Sequence, residues 1–240
     1  MINDIAGIKN LYGELLSVIP EGYKDPIYPF FVQVGEKYYT SNLKCLFIGK
    51  SVNGWVTDST NLEELFDQNN PNRIVNRHDQ MSWVNDLEGP NEVYNTRKSA
   101  FWRVVKQIAI QIHNKSNWYE YIAWSNLYKL SSESGNPSSW LKSLQEKQCI
   151  DILNEELQIL NPDCVIFLTS FWESFYIEAI GINNKNKSIK WGNYQTRYQK
   201  YNNRLFIRSM HPQGKPEALH VDTIIKCIRE MTYEMRDLKP

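Results

Sequence analysis

Four short runs of almost unbroken apolar character constrain the fold of this chain more than any other feature: LKCLFIG over 43–49, YIAWSNL over 121–127, DCVIFLT over 163–169 and RLFIRSM over 204–210. A strand with one wet face alternates polar and apolar residues, whereas a strand covered on both faces does not. These runs therefore read as buried central strands. The segments between them carry helical spacing, notably 99–112 (SAFWRVVKQIAIQI) and 140–160, the latter running into the turn Asn161-Pro162-Asp163. Strands alternating with helices imply parallel pairing through right-handed crossovers. The predicted architecture is α/β, a three-layer α/β/α sandwich around a central, mostly parallel four-stranded sheet, built as one domain over 1–240.

The flanks fit that plan. Ile5, Ile8, Leu11, Leu15 and Ile19 recur at helical spacing and predict an opening amphipathic helix that ends at Pro20-Glu21-Gly22. Residues 222–238 predict a terminal helix, with Asp222 in its first turn. The proline-broken aromatic stretch KDPIYPFFVQVGEKYY reads as a covering loop or short strand. Two long intervals, 58–93 and 183–203, are rich in Asn, Asp, Lys, Trp and Tyr, and either fold over a pocket or decorate the surface.

Composition narrows the class. A hydrophobic fraction of 42% with 13% aromatic residues excludes a disordered chain. Lys+Arg and Asp+Glu both number 27, so any nucleic-acid site must be a local patch rather than a whole-molecule field. The four cysteines (Cys45, Cys149, Cys164, Cys227) are widely spaced, mostly within apolar runs, and read as buried free thiols. No stretch approaches the roughly 20 apolar residues of a membrane span, and the amino terminus lacks the pattern of a signal peptide, so a cytoplasmic protein is expected.

In a parallel sheet the carboxyl ends of the strands point the same way, and ligands bind in the crevice above them. That rule selects the loops beginning at Gly49, Asn126, Thr169 and His211. The first, Gly49-Lys50-Ser51-Val52-Asn53-Gly54-Trp55, joins turn-forming glycines to polar side chains; it is a ligand cradle or an ordinary strand-to-helix turn. Its spacing matches neither the phosphate P-loop nor the dinucleotide fingerprint, and Gly-x-Ser-x-Gly is absent as well. In the second loop the Asn126 amide offers donor and acceptor together, suited to a nucleobase edge or to tying two loops. In the last, Ser209-Met210-His211-Pro212-Gln213-Gly214-Lys215-Pro216, His211 can donate to a developing oxyanion or carry a proton, whereas His78, His113 and His220 have no such setting. No grouping of His, Cys and carboxylates has metal-ligand spacing, so neither metal nor cofactor is expected.

Taken in order, these segments resemble the uracil-DNA glycosylase-like superfamily. There an apolar strand runs into a short water-activating loop, here Gly49 to Asn53, and a last strand runs into a His-Pro motif, here His211 to Gln213. Asn126-Leu127-Tyr128-Lys129 followed by Asn136-Pro137 is similar to the Asn-Val-Val-Lys segment of the thermophilic-type branch. Phe101-Trp102-Arg103 resembles a Phe-Trp-Arg helix, and 160–168 a third-strand segment. Ser51 stands where relatives carry the activating Asp or Asn, and Val52 where they carry proline.

The resemblance implies hydrolysis of the N-glycosidic bond of a damaged or modified base, with Ser51 or Asn53 positioning water and His211 stabilising the leaving group. It places Gly49, Lys50, Gly54, Trp55, Asn126, Lys129 and Gln213 around the substrate, with Lys129, Lys50 and Lys215 at phosphates and Trp55, Trp83 or Tyr128 stacking on the base. The expected partner is DNA or another nucleobase-containing ligand, with no membrane, bound by a monomer. The alternatives are a catalytically inactive binding module of the same fold, motivated by Ser51, and a protein-interaction role for the aromatic insertions around Trp83 and Trp191.

Overall fold

The computed structural model describes residues 5–51, 60–67, 81–85, 95–132, 135–182 and 186–236. The chain is α/β, with six α-helices, among them the short α5 (Ser174–Ala179), and a mixed seven-stranded sheet among these residues. It divides into two compact units: 1–33, 50–80 and 125–161 form the first, and 34–49, 81–124 and 162–240 the second.

The second unit holds the sheet. Its strands are β2 (Gln33–Val34), β3 (Cys45–Gly49), β4 (Ile122–Asn126), β6 (Cys164–Leu168), β7 (Lys187–Trp191), β8 (Tyr194–Tyr201) and β9 (Arg204–Ser209), ordered β2-β4-β3-β6-β9-β8-β7. The ends of β2 and β4 are where the chain passes into the first unit. Every residue of β3, β4 and β6 is buried, as continuous apolar runs require. β3 pairs with β6 in parallel (Cys45↔Cys164 to Ile48↔Phe167), and β6 with β9 (Cys164↔Leu205 to Leu168↔Ser209).

The four anticipated strands are all present, but four is not the number: the interval 183–203 adds β8 antiparallel to β9 and β7 antiparallel to β8. Two tight turns make this possible. Asn202 and Asn203 both take left-handed backbone (φ 48° and 61°), the demand of a two-residue hairpin turn, and Gly192 (φ 56°) turns β7 into β8. The interval thus extends the sheet instead of covering a pocket. Trp191, considered as an interaction surface, is buried against α6 (Glu217–Arg236), its ring stacked on His220 at 4.4 Å.

α3 (Ala100–His113) starts where Ser99 Oγ accepts the Trp102 N–H and stops at Asn114 in the left-handed region. It buries Phe101, Val104, Val105 and Ile108, a stripe at helical spacing, and packs on α6. α6 begins at Glu217 behind Pro216, five residues before the predicted start, so Asp222 lies inside the helix rather than in its first turn. Gly35 is required by close approach: a Cβ there would stand 2.4 Å from the Tyr119 carbonyl oxygen.

In the first unit α1 (Ile5–Ser17) buries Ile8, Tyr12 and Leu15 and packs on α4 (Ser139–Leu160) and the short α2 (Leu62–Leu65). β1 (Tyr28–Pro29) pairs antiparallel with β5 (Leu130–Ser131), so part of the aromatic stretch is indeed a short strand. All four cysteines are buried and free. No helix among the described residues is long and apolar enough to cross a membrane.

Candidate functional site

Parallel pairing brings the carboxyl ends of β3, β6 and β9 to one edge of the sheet in the second unit. Gly49 and Ser209 sit on either side of β6, about 10 Å apart at the usual strand spacing. Ser209 carbonyl accepts the N–H groups of Thr169 (3.2 Å) and Ser170 (3.0 Å), and Ser170 Oγ accepts the His211 N–H at 2.9 Å. The loops after β6 and β9 are therefore tied together. Ser170 and Phe171 both hold positive φ (58° and 66°), a strained pair for side chains other than glycine, and such strain collects at functional turns.

His211 is half-buried, and its ring lies nearly parallel to Phe101 (6.2 Å, 22°). Gln213 N–H donates to His211 Nδ1 over 3.4 Å, which in a neutral ring leaves the proton on Nε2 as a donor. Phe101-Trp102-Arg103 each have a task here. Phe101 backs His211; Trp102 packs edge-on to Trp124 (4.9 Å) and Trp83 (5.4 Å); Arg103 Nε donates to both Glu217 carboxylate oxygens at 3.1 Å, fixing the start of α6. Trp83 belongs to this aromatic cluster.

Two polar groups beneath the loops carry no motif. Glu173 is fully buried, accepts the Thr169 hydroxyl, and lies 3.9 Å from Arg208 Nε; burial pushes its carboxyl pKa up and that of the Arg208 guanidinium down. His220 is also fully buried. Its Nε2 lies 2.7 Å from Ser209 Oγ, which lies 2.7 Å from Thr196 Oγ1, itself the acceptor of the Trp191 indole N–H at 3.0 Å. Burial, with the charges of Lys215 and His211 beside it, lowers the His220 pKa to about 3. So His220, dismissed in the sequence for want of a setting, has one: it anchors the strand end that carries His211. The signal was faint, a histidine on the apolar stripe of α6 with Val221 and Ile224.

The first unit holds the other predicted residues. Lys50 and Ser51 are half-buried, and the Lys50 carbonyl accepts the Tyr128 N–H at 3.0 Å, joining the first and second loops. Asn126 is 1% exposed, and its Nδ2 is buried with no hydrogen-bond partner among the described residues. Tyr128 is buried. Asn53, Gly54 and Trp55 lie outside the described residues.

Lys129 requires correction. Expected at a phosphate, it is fully buried: Nζ donates to Glu156 Oε1 and Oε2 (2.7 and 2.9 Å) and to Ser125 Oγ (2.6 Å). Ser125 in turn donates to Glu156, while Gln145 Oε1 accepts the Lys129 and Leu130 N–H groups at 2.9 and 2.7 Å. A cation sealed this way cannot reach solvent, and its work is to fasten 125–130 onto α4. The clue lay in α4, where Gln145 and Glu156 fall on the stripe of Leu141, Cys149, Ile152 and Leu160.

Of the remaining anticipated contacts, Gln213 is exposed beside His211, and Lys215 Nζ lies 5.4 Å over the Tyr194 ring. Among the described residues no group of three or more His, Cys, Asp or Glu side chains is placed to hold a metal ion. A scan against protein-family models and a search of curated proteins each gave no match for this chain.

Proposed function

We propose that this chain is a divergent uracil-DNA glycosylase-like protein, with the α/β/α sandwich of that superfamily, that hydrolyses the N-glycosidic bond of a damaged or modified base in DNA. The observation that carries the reading is Asn126: among the described residues its buried amide nitrogen has no partner, such a group is costly, and a base edge supplies an acceptor. His211 supports it, since a ring whose Nδ1 accepts the Gln213 N–H presents an Nε2–H that can donate to a base oxygen as charge develops. In the reaction, water oxygen bonds to C1′ as the C1′–N bond breaks. The electron pair leaves on the base as an anion. The water gives up one proton as its oxygen becomes the C1′ hydroxyl, and the base takes up one proton, so the net reaction consumes one water and releases the neutral base. Ser51 or Asn53 orients the water. The protein acts as a monomer.

Incubation with oligonucleotides carrying uracil, hypoxanthine or alkylated bases tests this directly. Abasic product is expected, abolished in Asn126→Ala and reduced about 100-fold or more in His211→Ala, the scale of one oxyanion donor. Absence of product at high protein concentration overturns hydrolysis. Ser51 at the motif position favours a second reading, a binding module without turnover. It survives that result only if nucleobase or oligonucleotide binding is detected and depends on Asn126.

A further inference from the structure

Charge is unevenly distributed along a chain that is neutral overall. Between Glu178 and Glu217 lie 38 residues with eight Lys or Arg and no carboxylate, where the average of 27 acidic residues in 240 would put about four. The other 202 residues hold 19 basic and 27 acidic side chains. Seven of the eight lie on β7, β8, β9 and the His211 loop, and Lys185 lies outside the described residues.

Strand register sorts these cations by face. Ser188, Arg197 and Arg208 stand in one row across β7, β8 and β9, and Lys190 with Gln195 stands in the next row on the same face. The opposite face, with Thr196 and Trp191, is covered by α6 through His220. Glu173 lies 3.9 Å from Arg208 and also feels the charge of the half-buried Arg197, but among the described residues neither Lys190 nor Arg197 makes an ion pair within 4.0 Å. Lys190 and Ser188 are exposed, and the Arg197 guanidinium is held 4.7 Å from the Phe171 ring on the strained turn after β6. Cations interleaved with short polar side chains on a sheet face match a phosphate–sugar backbone, and Arg208 is three residues from His211.

We propose that this face of the β7–β8 ribbon docks the phosphate backbone of nucleic acid, with Lys190 and Arg197 as the principal contacts. The choice of polymer rests on the functional reading above; the surface itself rests on the charge pattern and register.

Fluorescence anisotropy of a labelled single strand of about 20 nucleotides, titrated with the full chain at several salt concentrations, tests it. Removing one cation from a phosphate lowers the slope of log K against log salt by about 0.7. The double variant Lys190→Gln/Arg197→Gln is therefore expected to flatten the slope by about 1.4 and to weaken binding about tenfold or more near 100 mM salt. Lys147→Gln/Lys226→Gln, equal in charge change but on exposed helix faces, is expected to leave the slope unchanged. If Arg197→Gln lowers the melting temperature, Lys190→Glu alone decides, since Lys190 is exposed.

Equal weakening by both double variants, no binding by the wild type at about 50 mM salt, or tighter binding to phosphatidylserine vesicles than to the oligonucleotide overturns the proposal. Ribbon-dependent binding without abasic product overturns only hydrolysis. Abasic product with binding indifferent to the ribbon overturns only the docking surface.

Discussion

His220 and Asn126 are both buried polar side chains, and they predict opposite experimental signatures. Burial holds His220 neutral down to about pH 3 in the folded chain, while in the unfolded chain it titrates near its ordinary value of about 6.5. The folded pKa is the depressed one. Its contribution is therefore complete above about pH 6.5 and is lost as the pH falls toward 3, at up to about 1.4 kcal/mol per pH unit. Urea unfolding at pH 7 and pH 5 is expected to show the wild type losing about 2 kcal/mol more than His220→Gln. Asn126 behaves differently because its Nδ2 has no hydrogen-bond partner among the described residues. Asn126→Ala is expected to change unfolding free energy by less than about 1 kcal/mol in either direction while ligand recognition disappears. Loss of several kcal/mol in that variant would mark Asn126 as a structural tie between loops.

At the scale of elements, the segment after β4 depends on α4. Lys129→Met is expected to destabilise by about 3–5 kcal/mol in chemical denaturation, because Glu156 is left buried without its partner, whereas Lys129→Met/Glu156→Leu recovers most of the loss. Helices were largely legible from spacing: α1, α3 and α4 fall within a few residues of their predicted spans, because an amphipathic stripe with a capping Ser, Asn or Pro is a local property. β3, β4, β6 and β9 were legible as apolar runs. β7 and β8 were not, since KSIKW and YQTRYQKY are mostly polar, yet the Asn202-Asn203 turn was their visible sign. The sealed Lys129 escaped notice because a lysine after an apolar strand reads the same whether its carboxylate partner is water-exposed or, as here, 27 residues away on a buried helix face.

For the molecule as a whole, protection is expected to follow the sheet of the second unit. β6 is paired in parallel on both sides and buried throughout, while β7 is the sheet edge with Lys187, Ser188 and Lys190 exposed. Hydrogen exchange read by mass spectrometry is expected to be slowest over 164–168 and faster by about 100-fold or more over 187–191. Comparable rates in the two strands would contradict this sheet order. Amino-acid order alone was sufficient for the α/β class, the long helices α1, α3 and α4, the buried thiols and the candidate loops at strand ends, because each follows from periodicity, capping or hydropathy within a few residues. Pairing between distant segments settled the rest: seven strands instead of four, Lys129 sealed on Glu156, His220 beneath Ser209, and Lys190 and Arg197 aligned on one face. Those outcomes depend on register and on which polar group finds a partner once water is excluded, and neither is written in any local stretch of sequence.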